Sequence, residues 1–335
     1  MKALVIESPR QARVRDVPEP DQKGWAVLRV ERVGVCGTDG SIFKGRIPVS
    51  YPLIMGHEMV GVVERPGDLD LVASGQRVMV DPTVTCGYCD LCRADRANLC
   101  RNGGLLGRDL EGVFSERVVV PETLLHPLPD SIDPANAPLL QVLGTCVHAQ
   151  DQVKVFPDDT AVVVGLGVTG LLHLQLLRAR GIEKVIGVTR SDWKQGLAKS
   201  MGAAVAIGPE QAQVAVVEMS EGRGASLVVE CAGYESTLSQ AIELTGPGGS
   251  LILFGTLTGG GSGLPYYQLY IKELTLHNPR AALPRDYARG VALVAAGSID
   301  LAPLVTHRLP LEDGPKALDI LLEDPTALKI IFEVS

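Results

Sequence analysis

The sequence predicts an α/β protein: an all-β body with loop insertions, followed by a doubly wound parallel sheet. Three observations carry this. β-Branched runs bounded by Gly, Pro and Asp recur through the first ~120 residues. The texture changes near Asp133, beyond which Leu139, Leu140 and Leu143 recur at helical spacing. From Thr160 onward, strands and helices alternate, the pattern of a parallel sheet covered by helices.

In the β-rich part, Val27-Leu28-Arg29-Val30, Met59-Val60-Gly61-Val62-Val63 and Arg77-Val78-Met79-Val80 read as strands. In the alternating part, Ala161-Val162-Val163-Val164 is a buried strand. Residues 168–180 form a helix, stopped by Gly181 as a left-handed cap. Residues 184–188 are the next strand, followed later by Ser226-Leu227-Val228-Val229. Residues 250–254 are another strand, placed after a Gly-Pro-Gly-Gly turn. Gly259-Gly260-Gly261-Ser262-Gly263 reads as a flexible loop, and no internal repeat is visible.

The length of 335 residues suits about two domains at ~100–200 residues each. With 46% hydrophobic and 21% charged residues, the chain buries a sizeable core and is not disordered. A net charge of −8 without a dominant basic patch argues against nucleic-acid and membrane partners. The start, MKALVIESPR, lacks the apolar core and cleavage site of a secretory signal. The longest apolar stretch, 161–177, contains Gly165, Gly167, His173 and Gln175, which suit a buried turn and helix better than lipid. The expected location is the cytoplasm. The seven cysteines are odd in number, and four are clustered, which points to metal over a disulfide framework.

Three constellations carry chemistry. The first is Cys86-x2-Cys89-x2-Cys92-x7-Cys100. Four thiolates complete a tetrahedron around zinc and leave no open position, so this is a structural site. Gly87 and Asp90 fit tight turns between the ligands. The second is Gly165-Leu166-Gly167-Val168-Thr169-Gly170, directly after a strand and opening a helix. The first glycine permits the turn and the second lets backbone approach a pyrophosphate. The third allows helix-on-strand packing, and the helix N-terminus offers free N–H groups. The next strand should end on a carboxylate if it binds the ribose 2′-OH, yet it ends Val188-Thr189-Arg190-Ser191. Thr189 and Ser191 can hydrogen-bond and Arg190 can pair with a 2′-phosphate, so NADP is favoured, with NAD the other candidate.

The third constellation is Cys36-Gly37-Thr38-Asp39 with Gly56-His57-Glu58. Cys36 and His57 are suitable ligands for a catalytic zinc, which takes three protein ligands and keeps one position open. Thr38 is close enough in sequence for its hydroxyl to reach the substrate oxygen. Asp39 is placed to accept a hydrogen bond from the second nitrogen of a ligand histidine.

With GVCGTD (34–39), PLIMGHEMVGVV (52–63), the four-cysteine lobe (86–100), VVVGLGVTG (162–170) and GPGGSLILFG (246–255), the chain resembles the zinc-containing medium-chain alcohol and polyol dehydrogenases. That family includes alcohol, sorbitol, threonine and glucose dehydrogenases, and the match runs along essentially the whole chain. The resemblance implies a GroES-like β-barrel catalytic domain over 1–145 and 281–335, and a Rossmann coenzyme domain over 146–280. It also implies an active site between them, and a homodimer or homotetramer. Cys36 and His57 match the first two catalytic-zinc ligands. Glu58 matches a glutamate that ligates zinc in some members. Thr38 matches the proton-relaying hydroxyl, and Thr145 a residue near the nicotinamide.

The third ligand position, a cysteine or glutamate in most relatives, is Gln141 here, as in some glucose dehydrogenases. A neutral amide leaves Cys36 the only anionic ligand unless Glu58 also binds, which sharpens the metal as a Lewis acid. Ser41 stands where many relatives continue the relay with histidine, and Gly37 where some place an arginine against the pyrophosphate. The expected function is zinc-dependent hydride transfer between a small alcohol, polyol or sugar and NADP or NAD. Two alternatives stay open here. One is a zinc-independent quinone or enoyl reductase of the same fold. The other is a non-enzymatic NADP-binding zinc protein that senses redox state through Cys146 and Cys231, although neither has a neighbouring cation in sequence.

Overall fold

The computed structural model describes residues 1–256 and 263–334. In chain order it runs through β1 (Lys2–Ser8), β2 (Gln11–Asp16), β3 (Ala26–Val35), α1 (Gly37–Phe43), β4 (Leu53–Ile54), β5 (Glu58–Arg65), β6 (Arg77–Val80), β7 (Thr83–Val84), α2 (Asp90–Arg93), β8 (Gly104–Leu105), β9 (Arg117–Val120), β10 (Leu125–Pro127) and α3 (Leu139–Gln150). There follow β11 (Thr160–Val164), α4 (Val168–Ala179), β12 (Lys184–Val188), α5 (Asp192–Ser200), β13 (Val205–Ile207), α6 (Ala212–Met219), β14 (Ala225–Glu230), α7 (Glu235–Leu244), β15 (Thr245–Leu253), α8 (Tyr266–Ile271) and β16 (Thr275–His277). The chain closes with α9 (Pro284–Ala295), β17 (Val305–Pro310), α10 (Gly314–Glu323) and β18 (Lys329–Glu333).

These elements form two compact units, Met1–Gly144 with Ala281–Ser335, and Thr145–Arg280. Thr145 therefore falls in the second unit, across the boundary expected from sequence. No turn marks the division, because α3 runs continuously through it.

The first unit is organised by β3. Its alternation of buried and half-buried residues gives it one face for a core and one for the surface. It pairs antiparallel with β5 along one edge, and with β9 and then β18 along the other. The resulting seven-stranded sheet runs β10-β6-β5-β3-β18-β17, with β9 also on β3. Leu28, Val30, Val33, Met59, Val78, Phe114, Ile330 and Phe332 pack into its core together with Leu4 and Ile6 from the β2-β1-β4 sheet.

The second unit is a six-stranded parallel sheet of order β13-β12-β11-β14-β15-β16. All five residues of β11 are buried, as expected for a strand covered on both faces. The order reverses between β11 and β14, and the carboxyl ends of strands at such a reversal are where open α/β sheets form a ligand crevice. The expected elements at 161–164, 184–188 and 226–229 lie within β11, β12 and β14. Helix α4 ends at Ala179 and Arg180, with Gly181 at φ 88°.

One expectation is refined. β15 begins at Thr245, before the Gly-Pro-Gly-Gly segment, and stops before Phe254, but residues 246–249 interrupt its pairing: the register jumps from Ala225–Thr245 to Leu227–Ser250, and Gly248 has φ 71°. Glycine makes this workable, because a Cβ on Gly246 would lie 2.2 Å from the Arg223 carbonyl oxygen. Of the expected loop 259–263, all but Gly263 lies outside the described residues. No helix among the described residues is long and apolar enough to cross a membrane.

Candidate active site and coenzyme crevice

Strand register assembles the first site. Cys36 follows β3 directly, as the residue preceding α1. Glu58 opens β5 opposite Gly34, and Ile330 of β18 pairs with Val35. Residues 36, 58 and 329 are thereby drawn to one end of the sheet, with His57 one residue before β5. The ligand atoms of Cys36, His57 and Glu58 all lie within 4.8 Å of one another. That donor set, a thiol, an imidazole and a carboxylate, fits zinc. Gly34 is needed beside it, since a Cβ there would lie 2.3 Å from Glu58 Oε2.

Asp39 is fully buried, and its Oδ2 accepts the Cys36 N–H at 2.8 Å. Its Oδ1 stands 3.6 Å from His57 Nδ1, facing it without closing a hydrogen bond. Burial raises the Asp39 pKa, which His57 opposes. For His57, burial favours the neutral ring, but Asp39 and Cys36 outweigh it and raise the pKa to about 10. Zinc held here would require the neutral imidazole, so its binding would compete with a proton.

Lys329 is the residue that sequence reasoning missed. Its ammonium is buried and donates to Glu58 Oε2 at 2.7 Å, Glu58 Oε1 at 2.9 Å and the Val35 carbonyl at 3.2 Å. Burial alone would lower its pKa, and the Glu58 charge outweighs that and raises it. Glu58 is thus charge-compensated within the protein. The available signal was a lysine opening the apolar run Lys329-Ile330-Ile331-Phe332, where a cation is out of place.

Gln141 sits on α3, buried, with Tyr287 of α9 packed along the same helix face. A Cβ on Gly144, one turn on, would lie 2.2 Å from the Tyr287 ring. The Tyr287 hydroxyl faces the Gln141 amide and the Asp81 carboxyl without a close hydrogen bond to either. Thr38 is half-buried in the first turn of α1, and Ser41 Oγ donates to the Gly37 carbonyl at 3.1 Å. A side chain at Gly37 would meet open space.

The four-cysteine lobe closes as the spacing requires. Sulfur separations are 3.4 Å for Cys86–Cys100, 3.5 Å for Cys89–Cys92, and 4.0 Å for both Cys86–Cys92 and Cys89–Cys100. A tetrahedron with Zn–S near 2.3 Å has edges of ~3.8 Å, so the set fits the ion. Gly87 takes φ 74° in the first turn. Asp90 does not sit in a turn as expected. It opens α2 and accepts two hydrogen bonds from Arg101, at 2.8 and 2.9 Å.

In the second unit, Gly165, Gly167, Val168, Thr169 and Gly170 join β11 to α4 at the crevice. Gly165 has φ 91°, and a Cβ on Gly170 would stand 1.9 Å from the Gly165 carbonyl oxygen. A Cβ on Gly167 would meet nothing, so that backbone is open to a phosphate. The glycine pattern therefore fits a dinucleotide. Beyond β12, Thr189 Oγ1 accepts the Ser191 N–H at 3.4 Å, and Arg190 is exposed without an ion pair among the described residues. Asp192, which sequence reasoning passed over, follows as the first residue of α5. Thr145 is half-buried on α3. Cys146 is buried and Cys231 half-buried, and desolvation pushes both thiol pKa values up.

Two family models match: the alcohol dehydrogenase GroES-like domain over residues 22–130, and zinc-binding dehydrogenase over residues 168–296. The chain is 30% identical to L-threonine 3-dehydrogenase of Bacillus subtilis (strain 168), covering 96% of this chain and 95% of that one. It is 28% identical to sorbitol dehydrogenase of Halalkalibacterium halodurans over 99% of both chains. Among solved structures, a zinc-binding dehydrogenase from Sinorhizobium meliloti 1021 bound to NADP superposes with a TM-score of 0.92 at 30% identity, over 99% of each chain. The chain belongs to the zinc-containing medium-chain alcohol/polyol dehydrogenase family. It is a zinc-binding oxidoreductase of GroES-like and Rossmann folds, with two side-chain clusters that suit the metal.

Proposed function

We propose that this dehydrogenase interconverts a small alcohol, polyol or sugar with its carbonyl form, using NADP in preference to NAD. The observation that carries the reading is the convergence of Cys36, His57 and Glu58 within 4.8 Å, in a chain that also carries the glycine crevice. Zinc in the first site supplies Lewis-acid polarisation of the substrate oxygen, and the dinucleotide supplies the hydride acceptor or donor.

The chain's own residues do the rest. Cys36 and His57 hold the metal, and Gln141 completes the set from α3, with the Tyr287 hydroxyl facing its amide. Asp39 steadies the Cys36 backbone and faces His57. Thr38 takes the proton of the substrate hydroxyl and passes it outward. Lys329 cancels the Glu58 charge, so Glu58 binds metal only by sharing its oxygens with the ammonium. Arg190, exposed past β12 and without an ion pair among the described residues, pairs with a 2′-phosphate, and Thr189 and Ser191 flank it. Thr145 stands near the nicotinamide by its match to the family pattern.

A panel of aldoses, polyols, threonine and short alcohols, read by NADPH absorbance at matched NAD and NADP concentrations, tests the reading. A higher kcat/KM with NAD rejects the cofactor preference, and inactivity on the whole panel rejects the substrate class. A Gln141→Ala protein that keeps full affinity for the catalytic zinc removes Gln141 from the ligands.

The protein assembles as a homodimer or homotetramer in the cytoplasm. Tyr266, Tyr267, Tyr270 and Ile271 of α8, and Leu276 on the edge strand β16, are exposed apolar groups that a second copy would cover. Free cysteines throughout agree with a reducing compartment. Sedimentation equilibrium giving the monomer mass would reject the assembly.

A further inference from the structure

Glu230 is the last residue of β14, paired with Val164 of β11 on one side and Leu253 of β15 on the other. It therefore stands at the carboxyl edge of the sheet beside the point where strand order reverses. Its side chain is fully buried. Oε1 accepts the N–H groups of Ala232 and Gly233, both at 2.9 Å, and the Thr237 hydroxyl at 2.7 Å. Oε2 is buried without a hydrogen-bond donor among the described residues. The Glu230 carbonyl accepts the N–H groups of Phe254 and Gly255, both at 2.9 Å. One residue thus ties together the turn after β14, the first turn of α7 and the exit of β15.

The surroundings are shaped to it. A Cβ on Gly255 would lie 2.6 Å from Oε2 and 2.4 Å from the Gly233 nitrogen. A Cβ on Gly165 would lie 2.9 Å from both the nitrogen and the Cβ of Ala232. The first glycine of the phosphate loop therefore packs directly on the turn that Glu230 holds. A buried carboxylate is costly, and here the compensation comes from donors in that turn. The Thr237 hydroxyl has a single proton and two acceptors in reach. The Glu230 oxygen at 2.7 Å is nearer than the Tyr234 carbonyl at 2.9 Å.

We propose that Glu230 is a positioning residue for the dinucleotide: it fixes residues 231–237 as the wall against which the Gly165 loop is set. This rests on the reading of the second unit as the coenzyme site. Glu230 acts through the turn and does not touch the cofactor. What the role requires is an oxygen acceptor, not a negative charge, and a charge near a pyrophosphate is itself unfavourable. The two properties separate in Glu230→Gln, which keeps the acceptor, and Glu230→Leu, which keeps approximate size and loses it.

The experiment is fluorescence titration with NADPH, with kcat measured at saturating NADPH. Loss of the anchoring hydrogen bonds in Glu230→Leu should raise the NADPH Kd about tenfold or more, while kcat at saturation changes less. Glu230→Gln should stay within about threefold of the wild type. Thr237→Val, which removes one donor and leaves the carboxylate in place, should raise the Kd about threefold and serves if the leucine variant does not fold. Wild-type affinity in both Glu230→Leu and Thr237→Val, or equal losses in Glu230→Gln and Glu230→Leu, overturns the proposal. Wild-type protein that binds neither NADPH nor NADH overturns the coenzyme reading itself, and this proposal with it.

Discussion

The ammonium of Lys329 lies within hydrogen-bonding distance of both carboxylate oxygens of Glu58, at 2.7 and 2.9 Å, although 271 residues separate them. Both side chains are almost wholly removed from solvent. Breaking a buried pair from one side leaves the other charge uncompensated, at a cost of roughly 3–5 kcal/mol. Lys329→Met is therefore expected to lose stability on that order in urea unfolding. The Lys329→Met/Glu58→Gln double variant should recover part of the loss, because the stranded carboxylate is gone. Additive losses would show that the two groups are not coupled.

Metal removal separates the two sites. Prolonged chelation should abolish turnover, and added zinc should restore it. Cys100→Ser should hold one zinc per chain by elemental analysis instead of two, and should melt earlier because its lobe no longer closes on a metal. Chelator-stripped protein with undiminished activity would refute the assignment of Cys36 and His57.

Arg190 gives a test of coenzyme choice. Losing a charge-assisted contact to a 2′-phosphate, Arg190→Ala should cut kcat/KM for NADP about ten- to hundredfold and leave NAD nearly unchanged. Thr189→Asp should further favour NAD, since a carboxylate accepts the ribose hydroxyl and repels the phosphate. Equal effects on the two coenzymes would place Arg190 outside that contact.

Asp81 makes stability depend on pH. Burial pushes its pKa up to about 7, against the opposing hydrogen bond from the Thr83 N–H to Oδ1 at 2.8 Å. The folded state thus holds a proton that the unfolded chain releases near pH 4. Its contribution is fully present below that value and is lost as pH rises to about 7. Asp81→Asn cannot ionise and still offers an acceptor to Thr83. Relative to wild type, it should therefore gain stability steadily from pH 4 to pH 8. A pH-independent difference between the two proteins would show that Asp81 ionises normally.

How much was legible depends on how far apart the cooperating residues lie. The four cysteines fall within one short segment, and their spacing alone specifies a closed metal site. The glycine loop is legible for the same reason, since its turn, open backbone and close packing all occur within residues 165–170. Asp39 was expected to accept a hydrogen bond from His57, but its Oδ1 stops 3.6 Å short of Nδ1 and its Oδ2 accepts the Cys36 N–H instead, a geometry that pattern does not specify. The Gly-Pro-Gly-Gly break before Ser250 was legible because Gly and Pro punctuate strands, whereas the short pairing at Thr245 that precedes it was not. Here, close approach to Arg223 and Gly224 makes small residues the ones that fit.

The amino-acid order by itself determined the alternation of strands and helices, the zinc lobe and the phosphate loop, because local propensity and ligand spacing act over a few residues. The tertiary structure alone decided that Lys329 answers Glu58, that Tyr287 lies along the Gln141 face of α3, and that Glu230 anchors the wall behind Gly165. These follow from register between distant strands and from helix packing. The energy of burying a charge selects such partners only after the sheet has brought them together.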